Sequence, residues 1–106
     1  MSYRYMRTLL FYDLPTLTSN DLKNYRKFTK CIKKLGFYMI QESVYVRMSL
    51  DPQSMESAVA KVKLQLPPNG NVLLLNITEK QFSSMQILIG DVSTDVITTD
   101  SRTVHL

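Results

Sequence analysis

Cysteine is almost absent: Cys31 stands alone, so no intrachain disulfide can form. A single thiol mildly favours a reducing compartment. Histidine is equally scarce, with only His105 near the C-terminus, so no Cys/His spacing offers a zinc site. There is no Walker phosphate loop and no G-x-S-x-G nucleophile turn. No apolar run is long enough to span a bilayer, so no membrane role is expected. The opening MSYRYMR lacks the small-residue cleavage site of a signal peptide, and a cytoplasmic location is the default expectation. Acidic residues are few in the first half. Residues 1–50 hold nine Lys and Arg against three acids, a net of +6, whereas residues 51–106 hold four against six, a net of −2. That asymmetry concentrates positive potential on part of the molecule and points to a polyanionic partner, with an ordinary solvated surface as the plain alternative.

What is present suits one small domain. A chain of 106 residues has room for one core, and a composition 44% hydrophobic and 21% charged is that of a globular protein. Tyr5–Tyr12 reads as a strand that Pro15 ends. Asn20 is the expected cap of a helix over Asp21–Leu35, which Gly36 stops. Tyr38–Gln41 and Val44–Leu50 read as a hairpin or one bent strand. Asp51-Pro52 opens a second helix, and Met55, Ala58, Val59, Val62 and Leu66 recur at helical spacing. Asn71–Thr78 is a buried-type strand, Glu79–Ser84 one helical turn, and Met85–Ile89 an expected fifth strand. The order is βαββαβ followed by β. This is an α+β, ferredoxin-like arrangement with an additional C-terminal strand. Residues 1–90 form the domain, and 91–106 are a polar tail whose end reads as a short edge strand. Both helices are expected on one sheet face. MRTLLFY and NVLLLNIT are too apolar to leave the other face wet, so a sheet-to-sheet homodimer is expected.

The first helix has one distinctive face. With Leu22 at zero and about 100° per residue, Lys33, Arg26, Lys30, Lys23, Lys34 and Lys27 fall between roughly 20° and 140°. The apolar residues take the opposite half. A solvated helix face usually mixes signs, because like charges at i,i+4 destabilise. Six cations with no acid among them form the electrostatic footprint of a phosphate-binding stripe, with Arg4, Arg7 and Arg47 as extensions. Such contacts read the backbone rather than the bases.

Asp13 is a lone carboxylate at a strand end. It reads either as a turn residue accepting backbone N–H groups or as a ligand for a hard cation such as Mg²⁺. A symmetric pair would supply it twice, so one Mg²⁺ would be shared between two subunits and act on a phosphodiester. Ser43 is either a bend residue or a phosphate-polarising group. Tyr12 is expected in the core, His105 in the tail and Cys31 as a structural thiol.

Tyr12-Asp13-Leu14-Pro15, Tyr25-Arg26-Lys27-Phe28 followed by Leu35-Gly36-Phe37, and Gln41-Glu42-Ser43-Val44-Tyr45 together resemble the CRISPR-associated protein 2 family. The resemblance covers essentially the whole chain. Ser2–Arg7 and Thr78-Glu79-Lys80-Gln81-Phe82 are similar to its subtype II-A branch. The resemblance implies a ferredoxin-like homodimer in which Asp13 is the Mg²⁺-binding acid proposed to be catalytic in a nuclease. It also implies CRISPR-associated protein 1, the integrase, as partner, with the small dimer bridging two integrase dimers and holding duplex prespacer DNA. Val46-Arg47 departs from the acid that many members carry after the Ser-Val-aromatic signature, which speaks against a further ligand there and leaves Asp13 untouched. Three readings follow: a DNA-backbone-binding scaffold for spacer acquisition, a Mg²⁺-dependent RNase or DNase with paired Asp13 residues, and an unrelated regulatory or toxin-type RNase module.

Overall fold

The computed structural model describes residues 5–90. Elements follow one another as β1 (Met6–Asp13), α1 (Ser19–Lys34), β2 (Tyr38–Gln41), β3 (Val44–Ser49), α2 (Pro52–Leu64), β4 (Asn71–Thr78) and α3 (Glu79–Ser83). The strands form one four-stranded sheet in the order β2-β3-β1-β4, with every neighbouring pair antiparallel. This is the split-βαβ, ferredoxin-like topology expected from the pattern.

Strand alternation divides the core in two. Leu10, Tyr12 and Tyr45 point toward the helices and pack with Phe28 and Ile32 of α1 and Val62 of α2. Leu9 and Val46 point the other way and pack with Phe82 of α3. Tyr12 is the hub of the helix-side core, with Phe28, Tyr45 and Tyr25 ring centroids 5.5, 5.6 and 5.7 Å away. Its hydroxyl lies 2.9 Å from that of the half-buried Thr29, so the buried phenol has a partner.

Two expectations are corrected. The cap of α1 is Thr18, not Asn20, because a capping box forms: the Asp21 amide donates to the Thr18 hydroxyl and the Thr18 amide to the Asp21 carboxylate. Met85–Ile89 is not a fifth strand. The chain leaves α3 as irregular backbone, and Ile87 packs into the Leu9–Val46–Phe82 cluster instead of extending the sheet. The expected tail strand in 91–106 lies outside the described residues, as do Arg4 and His105.

Candidate nucleic-acid interface

Amphipathicity places the basic stripe. Phe28 and Ile32 anchor α1 to the sheet, which turns Lys23, Arg26, Lys27, Lys30, Lys33 and Lys34 outward, and all six are exposed. Among the described residues none of them enters a salt bridge. Lys33 and Lys34 occupy the last turn, where they favour the negative end of the helix dipole. The stripe borders an open groove of about 450 Å³ lined by Tyr25, Arg26, Thr29, Lys30, Lys33 and Lys34.

The other expected cations do not join it. Arg7 is buried on the second sheet face, 5% exposed. Its Nε donates to Glu79 Oε1 at 2.6 Å, a second guanidinium nitrogen to Glu79 Oε2 at 3.2 Å, and a third to the Tyr38 hydroxyl at 2.8 Å. The guanidinium also stands 4.6 Å from the Phe82 ring centre. Burial by itself lowers its pKa, but Glu79 and Tyr38 outweigh that and hold it raised. Arg7 is therefore a strut tying β1 to α3 and β2, not a phosphate contact. Arg47 donates from Nε to the Leu35 carbonyl at 2.7 Å and from another nitrogen to the Ser49 hydroxyl. It closes the C-terminus of α1 and is likewise engaged.

Asp13 lies elsewhere. It ends β1 as an exposed residue paired with Asn71 of β4. The neighbouring Tyr12 amide donates to the Ser43 carbonyl at 3.1 Å, which hangs the β2–β3 turn beside it. Ser43 holds a left-handed φ of +68°, a conformation that costs a non-glycine residue about 1–3 kcal/mol and persists where surroundings impose it. Gly70 fixes the other side. A Cβ there would come within 2.8 Å of the Asp13 carbonyl oxygen and 2.7 Å of Leu14 Cδ2, so only glycine fits this approach at φ +102°. Phe11, Asp13, Ser43, Val44, Asn71 and Leu73 border an open depression of about 210 Å³. Sequence reasoning found Asp13 and weighed Ser43 but missed Asn71. The β1–β4 register, which joins residues 58 positions apart, brings Asn71 there, and the antiparallel order was its only signal. Among the described residues no three His, Cys, Asp or Glu side chains cluster as a metal-binding group.

The tyrosines beneath the groove are tuned together. Burial pushes the Tyr12 phenol above its ordinary range. The nearby Tyr12 hydroxyl and burial do the same to Tyr25, to which Glu42 adds and from which Lys33 subtracts. On the helical wheel of α1, Tyr25 lies in the half opposite the cations. At about 300° it falls well inside that half, so helical arithmetic gave no sign that it also lines the groove.

Among the described residues, no helix is long and apolar enough to cross a membrane. The family model described as "CRISPR associated protein Cas2" matches residues 6–85. A protein of Treponema denticola named "CRISPR-associated endoribonuclease Cas2" is 41% identical over 101 residues, covering 95% of this chain and all of that one. A protein of the same name from Streptococcus mutans serotype c is 42% identical over 101 residues, covering 95% and 93%. A solved structure described as "Crystal structure of cas2" superposes with a TM-score of 0.59 at 16% identity, covering 85% of this chain and 92% of that one. That likeness supports the fold.

Proposed function

The chain belongs to the CRISPR-associated Cas2 family, and on that premise we propose that it acts as a paired, DNA-backbone-binding scaffold in spacer acquisition. One observation carries the reading: six exposed cations on one helix face, free of salt bridges among the described residues. Cations without partners are available to displace counterions from phosphates, and a straight helix presents them in a row. Pairing is supported by the sheet face opposite α1 and α2. Leu73 and Leu75 are 66% and 51% exposed there, with Met48 also open. An apolar face of this kind on so small a domain calls for a covering surface, and a second copy supplies one. In this reading the pair bridges two dimers of the integrase, CRISPR-associated protein 1, while duplex prespacer DNA lies along α1.

A second reading is favoured by Asp13 and by the names of the relatives, which are endoribonucleases. The exposed carboxylate beside Asn71 and Ser43 offers hard oxygen donors at a depression open to solvent. That set suits Mg²⁺, which keeps most of its waters and takes one or two protein carboxylates plus substrate phosphate. Asp13 from each copy would hold the ion, which supplies positive charge to the phosphodiester under attack. The chain's own part is to place that carboxylate, through the Gly70 contact and the Ser43 turn.

Asp13→Ala separates the readings. The scaffold reading expects DNA affinity and spacer integration to stay within about 2-fold of wild type, and the enzyme reading expects loss of Mg²⁺-dependent RNA or DNA cleavage. Loss of integration by this variant, with pairing and DNA affinity intact, would overturn the scaffold reading.

A further inference from the structure

The groove on α1 has a feature that a plain phosphate-binding stripe does not need. Its floor is apolar, and an aromatic ring stands at one end of it. The groove arises from the i, i+4 rows of the helix. Thr29 is short and its hydroxyl is turned inward to Tyr12, while Tyr25 and Lys33 rise on either side of it along one row. Arg26, Lys30 and Lys34 form the parallel row. The volume of about 450 Å³ lies within the roughly 300–1,000 Å³ span of small-ligand sites.

Duplex phosphates need exposed cations alone, because the bases are turned inward and stacked. An aromatic face between cations is instead the arrangement that receives an unpaired base while its phosphates meet Lys and Arg. Tyr25 is suited to this. It is half-buried and packs against the helix-side core, with the Tyr12 ring 5.7 Å away, so its ring is held in place before any ligand arrives. Its raised pKa keeps the phenol neutral beside an anionic ligand.

We propose that the α1 groove is a site for single-stranded DNA, in which one unpaired base stacks on Tyr25 and its flanking phosphates are held by Lys30, Lys33 and Lys34. The proposal rests on the reading of α1 as a DNA-binding surface and adds a preference for strand ends or overhangs over blunt duplex.

The test uses the full chain, a short oligothymidylate and a blunt duplex of equal charge. Tyr25→Leu keeps an apolar, helix-compatible side chain but removes the aromatic face. Removal of one stacked base is expected to weaken oligothymidylate binding by roughly 5- to 140-fold. Blunt-duplex affinity and the salt slope of both ligands are expected to stay unchanged, since no charge is lost. The chain contains no tryptophan, so Tyr25→Trp adds a single indole reporter whose emission is expected to change on oligothymidylate and not on blunt duplex. This second variant keeps a stacking ring, so the test survives if Tyr25→Leu folds poorly. The proposal is overturned if Lys30→Ala, Lys34→Ala weakens both ligands while Tyr25→Leu leaves oligothymidylate binding intact or the indole is silent. If the lysine replacements change neither affinity, the reading of α1 as a DNA surface falls, and this site with it.

Discussion

Replacing Lys27, Lys30 and Lys34 together by alanine tests the α1 surface most directly. From Lys23 to Lys34 the stripe runs about 16 Å at 1.5 Å per residue. One strand of B-DNA offers a phosphate about every 3.4 Å of axis, so the stripe matches about five phosphates. At about 0.9 per phosphate, log K should fall against log salt with a slope near −4.5 per protomer, and the triple variant should have a slope near −1.8. Between 50 and 200 mM salt that corresponds to about a 500-fold loss for the wild type and about 12-fold for the variant. The assay is duplex binding followed by fluorescence anisotropy across that range, at constant protomer concentration.

The same variant carries a built-in control, because the structural effect has the opposite sign. Lys30 faces Arg26, Lys27, Lys33 and Lys34 at i,i+3 or i,i+4, and each such like-charge pair destabilises a helix by about 0.2–0.5 kcal/mol. Alanine is also the strongest helix former. The variant should therefore unfold at slightly higher urea while binding DNA less well. A slope that moves by less than about 1, with folding intact, would refute the assignment of α1 as the contact surface.

Other consequences follow from the Arg7 strut and the tyrosine hub. Glu79→Ala leaves the buried Arg7 without its carboxylate and should cost about 3 kcal/mol in urea unfolding. Arg7→Met with Glu79→Leu should recover most of that loss, and a double variant worse than the single one would refute the account. Neither change should alter the DNA salt slope. For Tyr12 the folded-state pKa is raised, so its protonated form is stabilised in the fold. That contribution is complete below about pH 10 and is lost as pH rises through the folded value. Wild-type stability should thus decline in strong alkali, less steeply in Tyr12→Phe, whose ultraviolet phenolate titration should lose one late-ionising phenol. An identical decline in both would exclude Tyr12 as the cause.

Local signals in the sequence carried the fold well, and non-local ones did not. Pro15 after Asp13, Asp51-Pro52 before α2 and the 3.6-residue period of α1 each placed an element correctly. Thr18 was missed because Asn20 is also a good cap, and only the reciprocal Thr18–Asp21 bonds decide between them. Met85–Ile89 (MQILI) is apolar and partly β-branched like a strand, yet a single residue of it, Ile87, finds a buried cluster. Arg7 reads from the sequence as a surface cation because its partner Glu79 lies 72 residues away. The stripe on α1 was legible because helical geometry alone fixes it, whereas the Asp13 surroundings depend on strand register.

The topology also gives the two readings different requirements. Asp13 pairs with Asn71 two residues beyond the Phe11–Leu73 pair, so its side chain emerges at the end of the open apolar face. The cationic stripe lies on the opposite layer, beyond the helix-side core. A second copy covering Leu73 and Leu75 would therefore approach Asp13 and leave α1 open. In the scaffold reading each protomer's stripe binds phosphates whether or not the chains pair, and pairing adds only the gain of two linked contacts. The carboxylate differs. One Asp13 is a weak ligand, and two brought together repel unless a cation or a proton lies between them. The proposed metal-dependent reading thus draws on pairing for its second carboxylate, whereas the proposed DNA-binding reading does not.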